Sequence, residues 1–108
     1  MINLEFAAEE IGISTAAYKK LCALFLLTVD DDMKTLHVAE NSVNREELKH
    51  KAHHIKGAAV NMEFTHLARQ AEKIENSALN ADYETIQTEL HLLYDEYEKI
   101  SMEIEVIL

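Results

Sequence analysis

Residues 83–107, YETIQTELHLLYDEYEKISMEIEVI, set Tyr83, Ile86, Leu90, Leu93, Tyr97, Ile100, Ile104 and Ile107 alternately three and four positions apart. That spacing keeps returning to one side of an α-helix, so the stretch predicts one long helix with an uninterrupted apolar stripe. The same rhythm recurs upstream. Phe64, Leu67, Ala71, Ile74 and Ala78 form a shorter stripe, with Asn76, Ser77 and Asn80 supplying stop and start signals around its end. Leu48, Ala52, Ile55, Ala59 and Met62 form another, opened by Asn44 with Glu47 three residues later, a capping-box-like start. Tyr18, Cys22, Phe25, Val29, Met33 and Leu36 define the first long helix, capped by Ser14 and expected to end near Asn41.

Connections of a few residues leave these four helices little choice but antiparallel packing. The expected fold is all-α, an antiparallel up-down-up-down four-helix bundle occupying residues 1–108 as a single domain. Ile2 to Ile11 adds a short N-terminal helix, predicted to cap one end of the bundle with Ile2, Leu4, Phe6 and Ile11. A coiled-coil oligomer would need only a narrow two-position seam, and these stripes are broader. The composition agrees: 108 residues, 48% of them apolar, with no proline and two glycines, can bury a core but lack the punctuation that sheets and long loops require.

Charge narrows the partners. Twenty acidic residues against ten basic ones leave a net charge of -10, and such a field repels phosphate backbones and anionic headgroups, so neither nucleic acid nor membrane is expected as a partner. The longest apolar run, Leu21 to Leu27, is far short of the ~20 residues that span a bilayer. One cysteine, Cys22, cannot form an internal disulfide, and acidic residues stand where a signal peptide would carry positive charge, so a cytoplasmic location is expected. A monomer is the expected state, because acidic faces oppose self-association.

The chemistry concentrates in Lys49-His50-Lys51-Ala52-His53-His54-Ile55-Lys56-Gly57-Ala58-Ala59 on the second long helix. At about 100° per residue, His53 points roughly 140° from the centre of the buried stripe and should face solvent. Lys56 and Gly57 lie one turn on, and Lys49 and His50 the turn before. Arg45, Lys49, Lys51 and Lys56 make the local field positive, and no acidic cluster is evident nearby. A glycine inside a helix is about 1 kcal/mol less favourable than alanine, so Gly57 suggests that another group approaches the backbone there; close helix packing would also account for it. A neutral imidazole is a competent nucleophile near pH 7, and Lys56 can neutralise an anionic group without donating a proton.

The pattern His53-x-x-Lys56-Gly57 followed by small Ala58 and Ala59 resembles the phosphorylation motif of histidine-containing phosphotransfer (HPt) domains. Leu24-Phe25-Leu26 with Asp30, and the segment from Leu67-Ala68 to Ile74-Glu75, extend the resemblance over roughly residues 14 to 100. It implies a four-helix bundle carrying a phosphoryl group on His53, taken from a receiver-domain aspartyl phosphate and passed to another receiver in a two-component phosphorelay. Such a chain is a phosphocarrier, not an enzyme, with most catalysis supplied by the receiver. Its Mg²⁺ is expected in that partner and none on this chain. The family uses the imidazole nitrogen farther from the backbone. Partners are response-regulator receivers or a hybrid sensor kinase, docking on Leu24, Leu27, Lys49, His50 and Val60, with Lys56 as electrostatic support. With no kinase, receiver or output segment, a separate shuttle protein is expected. Two positions depart from the family pattern: Ala58 stands where serine is common, and Glu63 stands where a glycine usually follows, in a place where an acid suits the start of the next helix.

Two rival readings exist: a bundle that binds a receiver or kinase without accepting phosphate, and a metal-binding bundle using His50 and His54, four apart on one face but an incomplete ligand set. Asp30, Asp31 and Asp32 point in different directions along a helix and read as solvated charge. The eight acids from Asp82 to Glu105 read as a solvated outer face. Tyr83, Tyr94 and Tyr97 read as packing residues with wet hydroxyls, and Cys22 as a small buried apolar residue.

Overall fold

The computed structural model describes residues 1–108 and contains five helices and no strand: α1 Leu4–Ile11, α2 Thr15–Asn41, α3 Arg45–Asn61, α4 Thr65–Ser77 and α5 Tyr83–Ile107. Helices α2 to α5 form the four-helix bundle, each packing on the next in the chain, with α5 returning to α2. At 1.5 Å per residue, α2 and α5 are each about 40 Å long, nearly the full 43 Å of the molecule. No single helix is long and apolar enough to cross a membrane.

The apolar stripes become the core. Leu48, Ala52, Ile55 and Ala59 of α3 are sealed from solvent, as are Leu67, Ala71 and Ile74 of α4 and Ile86, Leu90, Leu93 and Ile104 of α5. They join a cluster of 24 buried residues that includes Cys22. Phe25 meets Phe64 edge-on, with ring centroids 5.1 Å apart, which ties the α3–α4 turn to α2.

The helix ends follow from local chemistry. Ser14, Asn44 and Asp82 side chains accept from the backbone N–H of Ala17, Glu47 and Thr85, satisfying donors that a helix start leaves free. Three helices close through the same left-handed residue. Gly12 takes this conformation after α1 at φ 84°, Val43 after α2 at φ 53°, and Glu63 after α3 at φ 59°. In the latter two, the amide of the following residue reaches back to the last helical turn, Asn44 to Ala39 and Phe64 to Ala59, both at 2.9 Å. Glycine adopts this shape freely, whereas a side chain costs about 1–2 kcal/mol. Glu63 therefore does not open α4, which starts at Thr65; it closes α3, and a glycine there would relieve the strain.

α1 leaves α2 at 91° and lies over the α3–α4 turn, where Ile2, Ala7 and Tyr18 face Met62, Glu63 and Phe64. The N-terminal amine pairs with Glu103 of α5 at 2.6 Å. The expected cap is present, with one correction. Ala8 is buried, and Ile2, Leu4 and Ile11 pack partly against the core, but Phe6 projects into solvent. Over eight residues the inward face of α1 is too narrow to take Phe6 as well.

The tyrosine hydroxyls are not wet. Tyr97 donates to Asp30 Oδ1 (2.5 Å), Tyr94 to Glu40 Oε1 (3.1 Å) and Tyr83 to the Glu40 carbonyl (2.5 Å). Burial, reinforced by the neighbouring carboxylates, pushes the Tyr94 and Tyr97 phenols well above their ordinary range. The α5 acids are exposed at Glu84, Asp95, Glu98 and Glu105, while Glu89 sits half-buried and accepts from Ser77 Oγ.

Candidate functional site

Helix α3 presents its chemistry because its opposite face is committed to the core. With Leu48, Ala52, Ile55 and Ala59 inward, His53, Gly57 and Val60 come out on the far side. The helix is held in rotation at its start by Arg45, whose guanidinium donates to the carbonyls of Ala78 (3.3 Å) and Ala81 (2.7 Å) and lies over the Tyr83 ring. Arg45 thus belongs to the α4–α5 connection and not to the immediate surroundings of His53. Of the four basic residues between positions 45 and 56, Lys51 also turns away, toward Asp32 on α2. Lys49 and Lys56 remain beside His53.

The His53 side chain is 67% exposed. Its Nδ1 is hydrogen-bonded to Oε2 of Glu75, and Lys56 Nζ donates to the other oxygen of that carboxylate at 2.6 Å. Glu75 comes from α4, next to buried Ile74, and its side chain is only 16% exposed. Lys56 holds the Glu75 carboxyl below its ordinary range; burial opposes this, and the His53 bond assists it. Lys56 is raised in return, chiefly by the same hydrogen bond. An ionised carboxylate can only accept, so Nδ1 is the donor and carries the proton. The lone pair of a neutral imidazole is then on Nε2, which has no partner in the protein and faces solvent.

Glu75 is a single acid against the histidine that the sequence reading did not place there. Its charge offsets that of Lys56, so the site holds a bridged trio instead of a free cation beside an imidazole. Gly57 is bare: a Cβ built on it would meet nothing within 4 Å. Close helix packing therefore does not explain this glycine, and the surface beside His53 is open.

The expected docking residues are exposed but spread over two flanks. Lys49 and His50 border a shallow depression with Glu46, His53 and Glu75. Val60 and Lys56 border a larger one of about 670 Å³, which also exposes Phe6 and Arg69. Leu24 and Leu27 stand out from α2, with Leu27 bordering the cleft that holds Lys51 and His54. Nothing encloses His53, so the site is open to a second protein surface.

Asp32 was expected to be solvated and is not. It is 3% exposed, with Oδ2 2.7 Å from His54 Nδ1 and Oδ1 3.6 Å from Lys51 Nζ. This occupies one nitrogen of His54, the proposed metal partner of His50. No group of three His, Cys, Asp or Glu side chains is placed to hold a metal ion.

A helical bundle that exposes a carboxylate-held histidine on a glycine-bared helix has the form of a histidine-bearing carrier module, and comparison with known proteins agrees. The family model of the Hpt domain matches residues 20–100. The chain belongs to the Hpt domain family. Hpt domains serve histidine phosphotransfer in phosphorelays, as carriers rather than catalysts, and interact with receiver domains of two-component systems. The chain matches no curated protein and no solved structure.

Proposed function

We propose that His53 is the residue of this chain that carries the phosphoryl group, accepting it on Nε2 from a receiver's aspartyl phosphate and returning it to another receiver. The observation that supports this is the division of labour within one ring: Nδ1–H is held by Glu75 while Nε2 is free at the surface. Nε2 attacks phosphorus in line, the N–P bond forms as the P–O bond to the aspartate breaks, and the receiver's carboxylate leaves with the bonding pair. The ring becomes a cation during this step. Its proton stays on Nδ1, where the Glu75 carboxylate stabilises the developing charge. Lys56, one turn away, is drawn toward the incoming phosphoryl oxygens while Glu75 turns to the imidazolium.

Lys49 and His50 beside the histidine, and Val60 two turns further along the same helix, serve as docking contacts, with Leu24 and Leu27 as apolar contacts on the α2 flank. Mg²⁺ acts from the receiver's acidic pocket. The carrier works in the cytoplasm as a monomer whose acidic outer faces oppose self-association.

Incubation with phosphorylated receiver domains tests the reading. Acid-labile, base-stable label should pass to the wild type, and site-resolved mapping should find it on position 53 there and absent from position 53 in His53→Gln. A receiver that binds tightly but transfers no label would replace the carrier reading with a binding module. Gly57→Ala separates stability from approach. It removes a helix glycine and meets no clash, so stability should rise by about 0.8–1 kcal/mol, or roughly 4–8 °C in melting temperature. Transfer should slow because the added methyl stands where the receiver approaches. An unchanged transfer rate would show that nothing approaches Gly57.

A further inference from the structure

Helix α3 carries a second copy of the arrangement found at His53, facing α2 instead of α4. His54 Nδ1 is 2.7 Å from Asp32 Oδ2, and Lys51 Nζ is 3.6 Å from the other oxygen of the same carboxylate. In both places a carboxylate from the neighbouring helix bridges a histidine Nδ1 and a lysine one helical turn from that histidine. Lys56 follows His53, and Lys51 precedes His54. Asp32 is the more deeply buried carboxylate, its side chain 4% exposed against 16% for Glu75. The His54 side chain is 57% exposed and its Nε2 has no partner.

The other four histidines lack this arrangement. His50 makes no side-chain hydrogen bond, and His37 lies stacked on Tyr94. His66 and His91 meet carboxylates only at 3.9 Å, and through Nε2, the outer nitrogen. Only His53 and His54 have the inner nitrogen held and the outer one free.

We propose that His54 is a second phosphoryl acceptor, taking the group from an acyl phosphate onto Nε2. The N–P bond forms as the acyl P–O bond breaks, and the donor's carboxylate leaves with the electron pair. The Nδ1 proton stays in place, and Asp32 offsets the charge gained by the ring. Lys51, loosely held by Asp32, reaches the phosphoryl oxygens. Asp30 and Asp31 also border this cleft and oppose an anion, while Lys34 and Lys51 compensate. The proposal rests on the carrier reading for the identity of its natural donor, a receiver, and its acceptor chemistry stands apart from it.

Phosphoramidate, a small donor that needs no docking, tests that chemistry. Wild type, His53→Gln, His54→Gln and Asp32→Asn are labelled over time at neutral pH, and each histidine is followed by site-resolving mass spectrometry without acid. A hydrogen bond to a charged group contributes about 1.5 kcal/mol, so His54 should label roughly tenfold faster than His50, His66 and His91. This label should persist in His53→Gln. In Asp32→Asn it should fall while labelling of His53 is unchanged, which also reports that the variant is folded. His54 labelling no faster than those three histidines overturns the proposal. Fast labelling at His54 with His53 slow would uphold it while removing the support for His53, and slow labelling of both would overturn both.

Discussion

Glu75→Gln slows phosphoryl transfer to His53 roughly tenfold at neutral pH, while the bundle keeps its helicity. The amide is nearly the same size, and the residue lies in the last turn of α4 outside the apolar core, so packing is preserved. What changes is the charge beneath the imidazole. In the wild type Nδ1–H donates to an anion, and that bond strengthens as Nε2 bonds to phosphorus and the ring becomes a cation. A hydrogen bond involving a charged group contributes about 1.5–3 kcal/mol; an imidazole that is mostly in water sits at the lower end, which corresponds to the tenfold effect. A freed ring also populates the tautomer that carries its proton on Nε2 and cannot attack. The released Lys56 works the other way, since it can then serve the phosphoryl group alone, and this keeps the effect near tenfold. The pH dependence carries a definite sign. Glu75 is held below its ordinary value of 4.5, so the wild-type advantage is complete above that pH and is lost as pH falls through the lowered value. Transfer rates for both proteins from pH 7 down to pH 4 check this, and equal rates at pH 7 would remove Glu75 from the mechanism.

Much of the fold was legible because it is written in local terms. The bounds of α2, α3, α4 and α5 fall within a residue or so of the ends read from caps, stops and stripes together, and Ser14 and Asn44 cap as their side chains dictate. His53 was legible for the same reason, since one helix face determines the other. What escaped sequence reading is pairing between helices. Glu75 and His53 are far apart in the chain but roughly equidistant from the α3–α4 turn, and Asp32 and His54 are equidistant from the α2–α3 turn. Antiparallel packing brings such residues level, so the turns offered a signal once the bundle was assumed. Rotation about each helix axis was still needed to aim them, and that comes from the packed core. Phe6 shows the opposite failure: its type favours burial, but the short helix had no inward position left for it. The left-handed Val43 and Glu63 gave no local signal, because neither residue prefers that conformation and both are held there by the helices on either side.

The buried carboxylate on the α2 flank gives the largest expected effect on stability. Asp32 is nearly sealed from water and has two cationic or hydrogen-donating partners, Lys51 and His54. Replacing both, as Lys51→Met with His54→Leu, leaves a carboxylate that neither solvent nor protein can satisfy. Stranding a fully buried charge costs about 3–5 kcal/mol; here the partners are partly exposed and screened, so about 2–3 kcal/mol is expected, or roughly 10–20 °C in melting temperature. Lys51→Met alone should have the smaller effect, because at 3.6 Å its bond is long. His54→Gln should fold normally, since the amide can still donate to Asp32. The decisive variant adds Asp32→Asn to the double replacement. If the loss comes from an uncompensated charge, removing that charge restores most of the stability, whereas a loss caused by the missing Lys51 and His54 packing would remain. Chemical denaturation of the single, double and triple variants distinguishes the two, and a double variant within about 1 kcal/mol of wild type would mean that water reaches Asp32 and meets its charge.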